Sequence, residues 1–276
     1  MRKSTYTTSD GTVFDVSNRS GMTLNAVGSV GWQYSESDGL PYRAQRTLDG
    51  DLIIKSMASK DQANRLMELC ALDMDNGTPG TWKVDGWKLE CYLLSAEASS
   101  LRRVDRCFAV SILAPDPVWR RETHFEFMPA SGSSSEIGGF DYEVDYPFDY
   151  GGEASSSELT VSAIAPCDFR LTVYGYAAKP SVYIAGNRYG VDVTVPSGGL
   201  LVVDSAKKRS MKGDSVVLYD KYGNAQDVFS KRVKGAEGSG SYIFERIPSG
   251  THDVTWDQGW GFSLDLIERR AALPWT

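Results

Sequence analysis

SKDQANRLMELCALDMDNG (residues 59–77) decides the fold class, because it is the one stretch of the 276-residue chain that stands out as a helix. Ser59-Lys60-Asp61-Gln62 fits a capping box, in which the Ser59 hydroxyl and the Gln62 amide satisfy backbone N–H groups that the first turn leaves unpaired. Leu66, Leu69 and Cys70 recur at helical spacing, and Ala63, Met67 and Met74 widen the apolar face. Asn76-Gly77 then offers the left-handed residue that closes a helix.

On either side of this helix the pattern is β. Before it, residues 12–16 and 24–30 read as short strands broken by Gly and Asp, with residues 29–34 continuing or bending the second. Asp38-Gly39 and Asp49-Gly50 read as turns. After the helix, residues 81–84 and 87–94 flank a turn at Asp85-Gly86, and a strand over 108–113 is stopped by Ala114-Pro115-Asp116-Pro117. One helix against mainly antiparallel strands makes this half α+β.

From residue 131 to 157 the composition shifts to Gly, Ser, acidic and aromatic residues, as in DYEVDYPFDYGG, which reads as a domain junction. Beyond it helical periodicity is almost absent. Strands are expected at 159–164, 169–174, 181–184, 189–195, 200–204, 215–219, 242–245, 253–256 and 262–267. Spacings near ten residues with turn signals between them describe a β-sandwich. The expected organisation is therefore an N-terminal α+β domain over 1–135 and an all-β C-terminal domain over 136–276.

Composition excludes several function classes. With 41% hydrophobic and 24% charged residues the chain can bury a core, and a net charge of -7 argues against non-specific nucleic-acid binding. The basic run Lys207-Lys208-Arg209 reads as a solvated turn. No apolar run approaches the roughly 20 residues that span a bilayer, and the start MRKSTYTTSDG lacks an apolar signal region, so a cytoplasmic site of synthesis is expected. Cys70, Cys91, Cys107 and Cys167 form no C-x-x-C pair and read as free thiols.

Several segments resemble those of the siphophage distal tail (Dit) protein family. They are Pro166-Cys167-Asp168-Phe169-Arg170-Leu171-Thr172-Val173-Tyr174-Gly175, Lys179-Pro180, Leu200-Leu201-Val202-Val203-Asp204, and Ile247-Pro248-Ser249-Gly250-Thr251-His252-Asp253-Val254-Thr255-Trp256. Ala114-Pro115-Asp116-Pro117-Val118-Trp119 and Tyr146-Pro147-Phe148-Asp149-Tyr150 agree. The resemblance implies a galectin-like β-sandwich for the C-terminal domain and a ring-forming belt for the N-terminal one. It further implies a structural virion protein, not an enzyme: a homohexameric ring at the tail tip, made in the host cytoplasm. The ring would join the tail tube protein to the hub or tail-associated lysin protein and carry receptor-binding proteins in some phages. DNA would pass through without specific binding, and the acidic balance of the chain suits such a lumen. No cofactor, metal or membrane is implied.

The chemical alternatives are weaker. Asp141, Glu143, Asp145 and Asp149 could supply a glycosidase's carboxylate pair, yet their Gly/Ser-flanked setting reads as a solvated linker. Asp73, Asp75 and Asn76 make a poor calcium loop, since Gly77 stands where a further oxygen ligand is needed. His124 and His252 belong to no ligand-spaced cluster, and the glycines of 186–190 and 235–240 read as turns. The alternative function is a glycan-binding adhesin module, with Trp256, Trp260 and Trp275 as aromatics able to stack on sugar and core packing as the commoner fate of such a Trp.

Overall fold

The structure, a computed structural model, describes residues 2–17, 21–26, 29, 31–37, 40–55, 59–101, 106–129, 157–209 and 215–274. The chain forms two compact units, Met1–Glu122 with Arg269–Thr276, and Thr123–Glu268. A division into 1–135 and 136–276 does not anticipate the return of the last residues to the first unit. Leu273 is buried in that unit's core. Its N–H donates to the Ser29 carbonyl at 3.0 Å, and Arg2 Nη2 donates to the Pro274 carbonyl at 2.9 Å. The expected boundary itself lies outside the described residues.

The first unit contains β1 (Ser4–Thr7), β2 (Val13–Asp15), β3 (Met22–Ala26), β4 (Ser35–Ser37), β5 (Leu40–Tyr42), β6 (Arg46–Ile54), α1 (Lys60–Asp75), β7 (Gly80–Val84), β8 (Trp87–Leu101), β9 (Arg106–Ala114) and the start of β10 (Trp119–Phe127). β8 organises the rest. Its first part pairs with β7 and its second part with β9, through register shifts at Leu93/Ser95 and Ala98/Ser100. β7 continues to β1 and β2, and β9 to β6 and β3, all antiparallel. Asp85 and Gly86, at φ 48° and 88°, make the expected two-residue turn between β7 and β8.

Helix α1 packs on β8 through Ala63, Leu66, Cys70 and Asp73, all buried. The expected face is corrected in one place: Met74 is exposed, and the position one residue earlier carries a buried carboxylate instead. Asp73 is tolerated there because its Oδ1 accepts the Ser9 hydroxyl at 2.6 Å and the Ser9 N–H at 3.1 Å. The capping box is not formed. Ser59 is already helical at φ -88° and ψ -2°, and no side-chain cap bond is made, since the cap geometry needs an extended residue there. The other end closes as expected: Gly77, at φ 64°, donates to Met74 O and Thr78 N–H donates to Asp73 O, a Schellman arrangement.

Asp49-Gly50 is no turn. It lies within β6, where Gly50 pairs with both Ala26 and Val110, and a Cβ at that position would land on the Asn25 carbonyl oxygen. Glycine is there for close strand approach.

The second unit holds the end of β10, β11 (Ser157–Val161), β12 (Asp168–Tyr174), β13 (Ala177–Ala178), β14 (Ser181–Ile184), β15 (Asn187–Gly190), β16 (Thr194–Val195), β17 (Leu200–Asp204), β18 (Val216–Tyr219), β19 (Ala225–Asp227), β20 (Gly250–Trp256) and most of β21 (Gly261–Arg270). One sheet runs β19-β18-β17-β12-β21-β10 and the other β11-β20-β14-β15, with β13 and β16 a separate pair. Leu171, Val173, Phe262 and Leu264 of the first meet Leu159, Val182, Ile184 and Val254 of the second in one core. This is the expected two-sheet packing. Two expected strands differ. Residues 191–195 form an isolated bridge from Val191 to Arg232 and then β16, and residues 242–245 form a turn that buries Ile243 and Phe244 without a ladder.

Candidate functional site

The β4–β5 hairpin is the most conspicuous surface of the first unit. Ser35 opposes Tyr42 and Ser37 opposes Leu40, yet no residue of either strand is buried. Trp32 is 68% exposed, Tyr34 44%, Leu40 71% and Tyr42 49%. Local contacts shape the patch. Trp32 meets Tyr34 edge-on at 5.9 Å, the Arg43 guanidinium lies 5.4 Å from the Tyr34 ring centre and donates to its hydroxyl at 2.8 Å, and Arg46 Nη1 donates to Gly31 O at 2.8 Å. A two-stranded hairpin without a buried face gains little stability by itself. Leu40 and Tyr42, two apart on β5, share one face, while Tyr34 just before β4 meets Arg43 just after β5; exposed apolar side chains of this size mark a candidate contact surface.

In the second unit β10 and β21 bring together a polar row that the sequence did not announce. His124 Nδ1 lies 2.6 Å from Asp265 Oδ1 and its Nε2 3.2 Å from Glu126 Oε2, while the Tyr174 hydroxyl donates to Glu126 Oε1 at 2.7 Å. The Asp265 and then the Glu126 hydrogen bonds raise the imidazole pKa, and burial followed by the Glu126 contact raises that of Tyr174. An imidazole fixed between two carboxylates, with no Ser or Cys in the set, fits a structural clasp better than a proton relay to a nucleophile. His252 lies in β20 with Nε2 3.0 Å from Pro248 O.

The remaining sequence candidates scatter. Asp141, Glu143, Asp145, Asp149 and Trp275 lie outside the described residues. Asp73 is engaged by Ser9 as described, and among the described residues no group of three or more His, Cys, Asp or Glu is placed to hold a metal. Among those residues no helix is long and apolar enough to cross a membrane. Trp260 is 5% exposed, and Trp256 is half-buried, edge-on to Phe127 and Phe262 with Nε1 donating to Trp260 O at 2.8 Å. Of the pair, Trp256 alone keeps appreciable open surface. None of the four cysteines is in a disulfide; Cys70, Cys91 and Cys167 are buried and Cys107 is half-buried. Lys207-Lys208-Arg209 falls in a short 3-10 helix, not a simple turn.

No family model and no curated protein sequence matches the chain. Solved structures do. SPP1 Dit, described as a paradigm of the hub adsorption apparatus in phages infecting Gram-positive bacteria, aligns at a TM-score of 0.55 over 98% of this chain and 99% of its own, with 10% identity. The chain has the Dit fold. A chain of the phage P2 baseplate in its activated conformation with Ca aligns at 0.51 over 99% of this chain and 100% of its own, with 13% identity. The same baseplate with Sr gives 0.50 with the same coverage and identity. The likeness to Dit runs through both units and is a likeness of architecture, which by itself assigns no residue a role.

Proposed function

We propose that this protein is a structural component of a siphophage or prophage tail tip: a distal tail protein whose first unit forms a hexameric ring and whose second unit is a galectin-like sandwich. The observation that carries the reading is the full-length likeness to SPP1 Dit, which spans the helix-bearing unit and the sandwich in one order. A fold alone does not carry function. Here the exposed β4–β5 hairpin and the residues before it add support, because ring closure would give Trp32, Tyr34, Leu40 and Tyr42 a partner.

In this role the ring joins the tail tube protein to the hub or tail-associated lysin protein and offers a platform for receptor-binding proteins. The work is done by binding, and it needs no catalytic residue, cofactor or metal. DNA passes through without specific contacts, which the net charge of -7 favours by repelling phosphate. The site of action is the virion tail tip, after synthesis in the host cytoplasm.

Light scattering on the purified chain, followed by negative-stain imaging of the main peak, tests the proposal. Six copies around a central hole are expected. A strict monomer at every concentration, including in the presence of the tail tube protein, would overturn the ring.

A further inference from the structure

The second unit carries a cleft of about 400 Å³ lined by Lys179, Ser181, Arg188, Lys231 and Arg232, with Asp192 as its one carboxylate. Four cations against one carboxylate leave three net positive charges in a concavity of a chain whose own net charge is -7. Like charges gathered in this way repel, and an anion entering among them relieves that repulsion.

The backbone builds the cluster from distant parts of the sequence. β14 and β15 form a two-residue hairpin that sets Arg188 opposite Tyr183 and Ser181 opposite Gly190. Residues 230–233 are tied alongside, Val233 N–H donating to Gly190 O at 2.9 Å and Asp192 N–H to Lys231 O at 2.8 Å. Both guanidiniums are oriented in advance. Arg188 Nε and Nη2 donate to Ser181 Oγ at 3.2 and 3.0 Å, while Arg232 Nη1 donates to Phe229 O at 2.9 Å with its guanidinium 3.8 Å from the Phe229 ring centre. A guanidinium has five N–H donors, so each keeps donors beyond these contacts. Lys179 pairs with Asp192 at 3.1 Å across exposed side chains, a weak pair in water. Its backbone is left-handed at φ 52°, a conformation uncommon outside glycine and more frequent at functional sites.

An aromatic surface adjoins the cleft. Tyr183 lies two residues from Ser181 on β14 and therefore on the same face. It is 44% exposed, and the Arg188 guanidinium is 6.0 Å from its ring centre. An aromatic face beside fixed guanidinium donors matches a ligand with an apolar ring face and an anionic substituent.

We propose that this cleft binds an anionic saccharide, a sugar bearing phosphate or carboxylate, with the anion among Lys179, Arg188, Lys231 and Arg232 and the sugar ring against Tyr183. The inference rests on the second unit alone and stands independently of the ring.

Calorimetric titration of the full chain in low-salt buffer tests it, with glucose-6-phosphate, glucuronate, glucose and inorganic phosphate as probes. Saturable binding of a charged sugar is expected, with none of glucose at the same concentration. Lys231→Glu should weaken it about tenfold, and Tyr183→Ala a few-fold, the second effect being absent with inorganic phosphate. Lys231 and Tyr183 are both exposed, so the variants should melt as the parent does, and Lys179→Gln provides a second charge change at an exposed position. No binding of either charged sugar at millimolar concentration would overturn the proposal. So would binding unchanged in both Lys variants. Inorganic phosphate bound as tightly as the sugar phosphate, with Tyr183→Ala without effect, would reduce the cleft to an adventitious ion only and overturn the saccharide assignment.

Discussion

Replacing Trp32 by Ser tests the proposed ring at the exposed residue before β4 that gains most from being covered. Trp32 is 68% exposed. A Trp side chain presents up to about 250 Å², so roughly 170 Å² lies open. At about 25 cal/mol per Å², complete burial is worth roughly 4 kcal/mol. Interfaces return only part of such area as affinity, because side chains must be ordered and fit is imperfect. About 2 kcal/mol per contact is the expected loss, a factor of about 30 in dissociation constant. In a closed ring the loss recurs at every interface, so the concentration for half-assembly should rise steeply. Sedimentation velocity over a concentration series measures that shift, and a thermal melt of the dilute protein supplies the control. Trp32 belongs to neither core, so the monomer's stability should change by less than about 0.5 kcal/mol. A variant that assembles at the parent's concentration would refute the hairpin's role, and one that loses its fold would show that Trp32 holds the monomer instead.

Leu66→Ala, at a position 1% exposed under α1, should cost about 3 kcal/mol in urea unfolding through the cavity it leaves; a loss below about 1 kcal/mol would mean that α1 is not seated on β8. Gly50→Ala should lower stability by at least about 2 kcal/mol, because the new methyl meets the Asn25 carbonyl across the β3–β6 pairing, and an unchanged melting temperature would contradict that register. His124 should titrate above its ordinary value of 6.5 by NMR, raised first by Asp265 and then by Glu126. Its contribution is therefore complete below the unfolded-state pKa and lost as pH rises through the folded one. His124→Gln should accordingly lower the stability to unfolding at acidic pH more than at pH 9, by no more than about 1 kcal/mol for so exposed a group. A thiol reagent at pH 8 should modify Cys107 ahead of the others in the native protein, since burial pushes Cys70 and Cys91 up to about 12; equal rates for all four would argue against the packing of α1 on β8.

Much of the fold was legible because local chemistry and tertiary packing agree. Asp85-Gly86 sits where left-handed backbone is required, as does Gly77 after the still-helical Asn76, and both pairs mark the true ends of their elements. The misreadings arise where a local signal has a tertiary cause. Asp49-Gly50 looks like a turn, but Gly50 is small because two strands press on it. Residues 191–195 alternate like a strand, but they pair first with Arg232 and then with Ala177–Ala178. The candidate surfaces were less legible still. Nothing in GWQYSESDGLPYR says that its aromatics stay exposed, since exposure is a property of what the rest of the chain fails to cover. Lys179, Arg188, Lys231 and Arg232 lie too far apart in sequence to read as a cluster, and only the β14–β15 hairpin and the strand-like tie to residues 230–233 gather them.

The return of Leu273 to the first unit has a consequence for the order of events during synthesis. Domains ordinarily fold from the N-terminus as they leave the ribosome. Here the second unit, Thr123–Glu268, is continuous in sequence and can finish as soon as it emerges. The first unit must wait with a gap in its core until Leu273 arrives. If that unit is the one that closes the ring, a nascent chain carries a finished sandwich before it acquires a competent assembly surface. On the proposed ring, chain order alone would then suppress premature association of half-made chains.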